Sequence, residues 1–193
     1  MKKTMFPFAA AALLIGSLTI GCGDNQPKEE PGTKEAAEES NDQKFKTDSS
    51  EKNAQFVVDA VEANATEIRL AELALQKSSD KEVKDIAKQL VTDHTAALND
   101  LKVLAGNKSI SIPTEDPEKA KEKVKDLSEK KPADFNKAWT DQLMEKHMKT
   151  ISDYERALNE LSDQDIKNWI NTVLPKIRAH HDKLMALNSK LKK

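Results

Sequence analysis

Cysteine is almost absent from this 193-residue sequence, occurring once, at Cys22. Beyond that residue no thiolate can hold a metal and no cysteine can serve as a nucleophile, and one cysteine closes no intrachain disulfide. Glycine is scarce as well. Gly16, Gly21, Gly23 and Gly32 all precede residue 53, which leaves Gly106 alone beyond it. Phosphate-cradling loops need several glycines for close backbone approach, so the sequence argues against a nucleotide-binding fold. An excess of positive charge is also missing. Lys and Arg number 31 against 33 Asp and Glu, with the signs interspersed, and that leaves no electrostatic footprint for nucleic acid. Aromatic residues make up only 4%. What remains suits one domain built from elements that need no tight turns, which means helices.

The first 21 residues read as a targeting segment. MKKT supplies positive charge, and MFPFAAAALLIGSLTI is an apolar core too short for a stable membrane-spanning helix. It ends in LTIGC, which resembles a bacterial lipoprotein signal, although Thr19 stands where such signals prefer leucine and Leu18 lies one place early. The resemblance implies cleavage before Cys22, lipid on that cysteine, a membrane as partner and a place in the bacterial cell envelope. Gly23 replaces the aspartate that often retains lipoproteins at the inner membrane, which favours the outer one. The alternative is an ordinary secretory signal with a free cysteine near the cleavage site. Residues 22–52 are rich in Glu, Lys, Ser and Pro, with Phe45 as their one large apolar residue. Such a composition cannot offset its ordering entropy, so a flexible acidic tether is expected there, ahead of a folded domain over 53–193.

Four long helices are expected in that domain. In the first, Phe56, Ala60, Asn64, Glu67, Ala71 and Ala74 share one stripe at three- and four-residue spacing. Ser79 and Glu82 have capping-box spacing before the second, whose stripe runs Val83, Ala87, Leu90, His94, Ala97, Leu101, Leu104. Gly106 is placed to end it with a left-handed residue. A less regular connection of about 25 residues follows, with Asp116 as N-cap and Pro117 opening a short polar helix. Pro132 opens the third long helix, with Phe135, Trp139, Leu143, His147, Ile151, Tyr154, Leu158 and Leu161 on its stripe. Ser162 and Asp165 suggest the next cap, and the fourth helix aligns Ile166, Ile170, Val173, Ile177, His180, Leu184, Leu187 and Leu191 around an internal Pro175. Short first and last connections with a long crossover between helices two and three make an all-α, ferritin-like four-helix bundle whose crossover carries a short helix.

The polar residues on those stripes are the candidates for function. His94, His147 and His180 each fall near the middle of their helix, with Glu67 close to the same level, so three of the four histidines converge. Burying such groups costs a few kcal/mol each unless they are paired. A metal is one means of pairing them, and three imidazoles with one carboxylate suit Zn²⁺, Cu²⁺ or Fe²⁺. A metal-free network, in which Glu67 or Asp93 accepts protons from the imidazoles, is the other. Asp93, beside His94, is a candidate to orient an imidazole from outside the ligand set. A di-iron site needs glutamate three residues before each of two histidines. The residues in those places are Val91, Met144 and Ile177. His181 has a weaker claim as ligand, Trp139, Trp169 and Tyr154 read as core or rim, and nothing else reads as catalytic.

The segments FVVDAVEANATEIRLAELALQKS, VKDIAKQLVTDHTAALNDL, FNKAWTDQLMEKH and LPKIRAHHDKL together resemble the DUF4142 family of exported bacterial proteins. Glu67, Asp93-His94, His147, and Pro175 five before His180 carry the resemblance. Asn136 and Trp139 depart from the family's more usual aspartate and tyrosine, away from the histidines. The resemblance implies a ferritin-like four-helix fold and no established activity. Three functions follow as expectations: an envelope-anchored bundle that binds a metal ion, a structural or interaction module whose polar core fixes helix packing, and, least supported, a redox enzyme by analogy with ferritin.

Overall fold

A computed structural model of the protein describes residues 32–192, and the targeting segment with Cys22 lies outside them. Among the described residues the chain is all-helical. Its six helices are α1 (Lys34–Lys44), α2 (Asp48–Lys77), α3 (Lys81–Asn107), α4 (Glu118–Ser128), α5 (Pro132–Glu160) and α6 (Gln164–Leu191). No helix among these residues is long and apolar enough to cross a membrane.

Several helix ends differ from expectation for local reasons. α3 is capped by Asp80, whose side chain accepts from the Val83 N–H, rather than by Ser79. Likewise Asp163 caps α6, accepting from Asp165 and Ile166. A carboxylate makes the charged, and therefore stronger, cap in both cases. Gly106 does not end α3. The left-handed residue is Ser109, at φ 57°, with Ile110 N–H donating to Ala105 O and Ser109 N–H to Gly106 O. That pairing is a Schellman motif displaced three residues beyond the glycine, fixed by burying Ile110 beside Ala105. α4 begins after Pro117, because Asp116 is instead held by a two-pronged pair from Arg69 at 3.0 and 2.6 Å.

Of the tether expected over 22–52, residues 22–31 lie outside the described residues, and the rest is helical over Lys34–Lys44 and again from Asp48. Composition alone hid this, since α1 has little apolar surface and is held by polar bonds. Asn41, 5% exposed, donates to Ser111 O and accepts from Ser111 N–H, both at 2.8 Å. Ala37 is fully buried, and Lys34 pairs with Glu62 at 3.1 Å. Thr47 then caps α2 through a reciprocal box with Ser50, so α2 starts at Asp48 rather than near residue 53.

The buried apolar residues fall into two clusters. One joins Val57 and Val61 of α2, Leu101 of α3, Tyr154 of α5, and Ile166, Ile170 and Val173 of α6. The other joins Leu70 of α2, Leu90 of α3, Phe135, Trp139 and Leu143 of α5, and Leu184 and Leu187 of α6. α2 and α6 therefore run from the first cluster to the second, while α3 and α5 run the opposite way. The packed pairs α2–α3, α5–α6, α3–α6 and α2–α5 are all antiparallel. Because α3 ends where α5 must not begin, residues 108–131 travel the length of the molecule. α4 lies along that path, burying Ala120 and Leu127 against α2 and α5. Between the two clusters sits one polar layer.

Candidate metal centre

The layer consists of Asn64 and Glu67 from α2, His94 from α3, His147 from α5 and His180 from α6, all at most 5% exposed. Each residue interrupts its helix's apolar stripe at a point where the stripe continues one or two turns on either side. Periodicity thus carries the side chain inward although its chemistry is polar. The three ring centroids are 5.4, 5.5 and 5.6 Å apart, so the imidazoles form a nearly equilateral triangle.

One nitrogen of each ring is committed. His94 Nδ1 lies 2.9 Å from Asn64 Oδ1, and the Asn64 amide N–H₂ is turned the other way by donating to Ala60 O at 2.7 Å. His147 Nδ1 donates to Leu143 O at 2.9 Å. His180 Nε2 donates to Asp93 Oδ2 at 2.9 Å. Every one of these partners is an acceptor, so each committed nitrogen carries its ring's proton. In the neutral tautomer the lone pairs then sit on His94 Nε2, His147 Nε2 and His180 Nδ1. Those three atoms are buried without hydrogen-bond partners, and so is Glu67 Oε2. Glu67 Oε2 approaches His94 Nε2 to 2.8 Å and His147 Nε2 to 3.4 Å without hydrogen-bonding alignment to either. One ligand atom from each histidine falls within 4.8 Å of the other two.

Three lone pairs and a carboxylate oxygen facing one another repel unless positive charge lies among them. Burial by itself pushes the Glu67 carboxyl up. The imidazoles of His147 and His94, where they carry a proton, outweigh that and hold it well below the ordinary range. Burial also pushes the His147 imidazole down, against the pull of Glu67. The His180 imidazole is pushed down to about 4, chiefly by burial, against the pull of Asp93. The layer needs cationic charge, yet burial sets His147 and His180 against taking up protons. A divalent cation meets both demands, and the donor set of three imidazoles with a carboxylate fits one. At a tetrahedral Zn–N distance of about 2.0–2.1 Å the nitrogens sit about 3.3 Å apart, against the 4.8 Å within which they lie here, so binding a metal draws the rings together.

The expected residues thus come together, with two refinements. Asp93 follows His94 in sequence but orients His180, since successive residues on a helix diverge by about 100°. Its carboxyl is held below the ordinary range: burial pushes it up, and the His180 hydrogen bond outweighs that, with Lys176 3.6 Å away. The imidazole beside it in sequence is oriented by Asn64, which reads in the sequence only as a polar residue on the α2 stripe. His181 stays outside the layer, with Asp182 3.9 Å from its Nδ1. Lys146 was not singled out in the sequence. It is half-buried, and burial pushes its ammonium down while Glu67 draws it up. Its one signal was its place next to His147.

The family model described as "Domain of unknown function (DUF4142)" matches residues 38–187 of the chain. The match begins within α1, in keeping with a domain that starts earlier than residue 53. Comparisons with curated proteins and with solved structures return no match.

Proposed function

The chain belongs to the DUF4142 family of domains of unknown function, and from that premise we propose that it is a metal-binding helical bundle tethered to the cell envelope. In this reading α2, α3, α5 and α6 form the ferritin-like four-helix bundle, and antiparallel neighbours with a full-length crossover support that layout. His94 Nε2, His147 Nε2, His180 Nδ1 and Glu67 Oε2 hold one Zn²⁺, Cu²⁺ or Fe²⁺. Asn64, Leu143 O and Asp93 fix the rings from behind, the usual arrangement around metal-bound histidines. A lipid on Cys22 supplies the tether, an assignment resting on the LTIGC stretch alone.

One observation carries the reading: four buried donor atoms converge with no hydrogen-bond partner, while the opposite nitrogen of every ring is satisfied. Elemental analysis of purified protein after dialysis against dilute Zn²⁺, Cu²⁺ or Fe²⁺ tests it. About one equivalent in the wild type and little in H94A is expected. Equal, sub-stoichiometric metal in both proteins refutes the reading.

A second reading draws on the 2.8 Å approach of His94 Nε2 to Glu67, which is also an ion-pair distance. A protonated His94 would then pair with Glu67, and the layer would serve only to specify helix register. That version of the layer melts at the same temperature with and without chelator.

A further inference from the structure

We propose that the small cavity beside the histidine layer admits an exogenous anion of two or three atoms to the metal, a reading that rests on the metal-binding function above. The cavity holds about 40 Å³, room for one water or a small linear anion, since a water occupies about 30 Å³ of liquid. Glu67, His94 and His180 line it together with Tyr154 and Trp169. Thr172 and Lys176 of α6 and Asp100 of α3 also line it and are exposed, so the cavity borders solvent between these helices.

Two features set the sign of the guest. A divalent cation with one carboxylate leaves net positive charge in the layer. Although four protein ligands close a tetrahedral Zn²⁺ site, a Cu²⁺ or Fe²⁺ held by the same four takes a fifth donor from solution. The Trp169 indole N–H is buried without an acceptor, and this group can only donate. Of the acidic groups on the cavity wall, Glu67 is a ligand and Asp93 is engaged by His180 and approached by Lys176. Asp100 is exposed, and solvent screens it. A metal held by the layer and the unpartnered N–H of a lining tryptophan would together suit an electron-rich ligand of the azide or hydroperoxide class. His147 does not line the cavity, so the anion approaches from the His94 and His180 side.

The test loads the full chain with Cu²⁺ and titrates azide, reading the azide-to-copper charge-transfer absorbance. A saturable band with one azide per copper is expected. In W169F, which keeps the ring and loses the N–H, azide affinity falls about tenfold with copper content unchanged. In A97M, which fills the cavity from α3, the band is lost while copper stays. Helical circular dichroism checks the folding of both variants, and W169F decides alone if A97M does not fold. A band of undiminished affinity in W169F overturns the proposal, and so does a copper-loaded wild type with no band, whose shell is closed by protein. A wild type that retains no copper overturns the metal-binding reading itself, and this one with it.

Discussion

Replacing Glu67 with glutamine tests the electrostatic logic of the layer most directly. The side chains have nearly the same shape, so E67Q keeps the packing of a residue only 2% exposed while removing its charge. Without metal, the variant loses a buried carboxylate whose Oε2 lacks a hydrogen bond, and gains an amide N–H₂ able to donate to the His94 or His147 lone pair. The two changes offset each other, so melting in EDTA is expected within about 1 kcal/mol of wild type, roughly 2–4 °C for a domain of this size. With metal the balance shifts. At a metal concentration a hundredfold above Kd the wild type gains about 2.7 kcal/mol, or roughly 5–11 °C. Loss of the one anionic ligand is expected to weaken binding at least about a hundredfold. E67Q at the same metal concentration then gains only about 0.4 kcal/mol, roughly 1–2 °C. The assay is calorimetric melting of both proteins, each in EDTA and in the chosen metal. If E67Q and wild type gain equally from metal, Glu67 is not a ligand. If E67Q loses equal stability in both conditions, the carboxylate's charge supports the fold and not a metal.

Other consequences follow from the same geometry. D93N leaves the metal ligands in place but weakens the acceptor behind His180, and a loss of metal affinity of about 10–100-fold is expected by titration calorimetry. Acidification should destabilise the metal-free protein. His180 is pushed down to about 4 from an unfolded value near 6.5, so its contribution is present above pH 6.5 and lost as pH falls toward 4. Urea unfolding across that range measures the slope, and a flat profile contradicts the burial argument. N41A removes both of that side chain's bonds to Ser111 and should cost about 1–3 kcal/mol locally. Faster amide exchange in 34–44 with unchanged protection in α5 is the expected signature. L70A, deep in one apolar cluster, should cost about 2.7–5 kcal/mol with and without metal alike, which separates core damage from site damage.

Most of the helical plan was legible because an amphipathic helix writes its buried face into the sequence. Leu90, Leu101, Trp139, Leu143, Ile166 and Ile170 were all placed inward by spacing, and all are buried. The inward direction of Glu67, His94, His147 and His180 was legible for the same reason. α1 was not, because its attachment relies on Asn41, Lys34 and Ser40 bonding to residues 28 to 71 positions away, and such bonds leave no periodic trace. Helix ends were read imperfectly where two capping residues stood side by side, as at Ser79 and Asp80.

The sequence by itself determined which side chains enter the core and at about what height along each helix, since both follow from rise and period within one element. Only the tertiary structure decided who meets whom. Asp93 turned to His180 on α6 rather than to its neighbour, Asn64 took His94, and Glu67 settled between His94 and His147. Those pairings depend on how one helix is rotated against the next, which is set by the packing of both apolar clusters at once. They also fix the tautomers, and through the tautomers the direction of the three lone pairs on which the case for a metal rests.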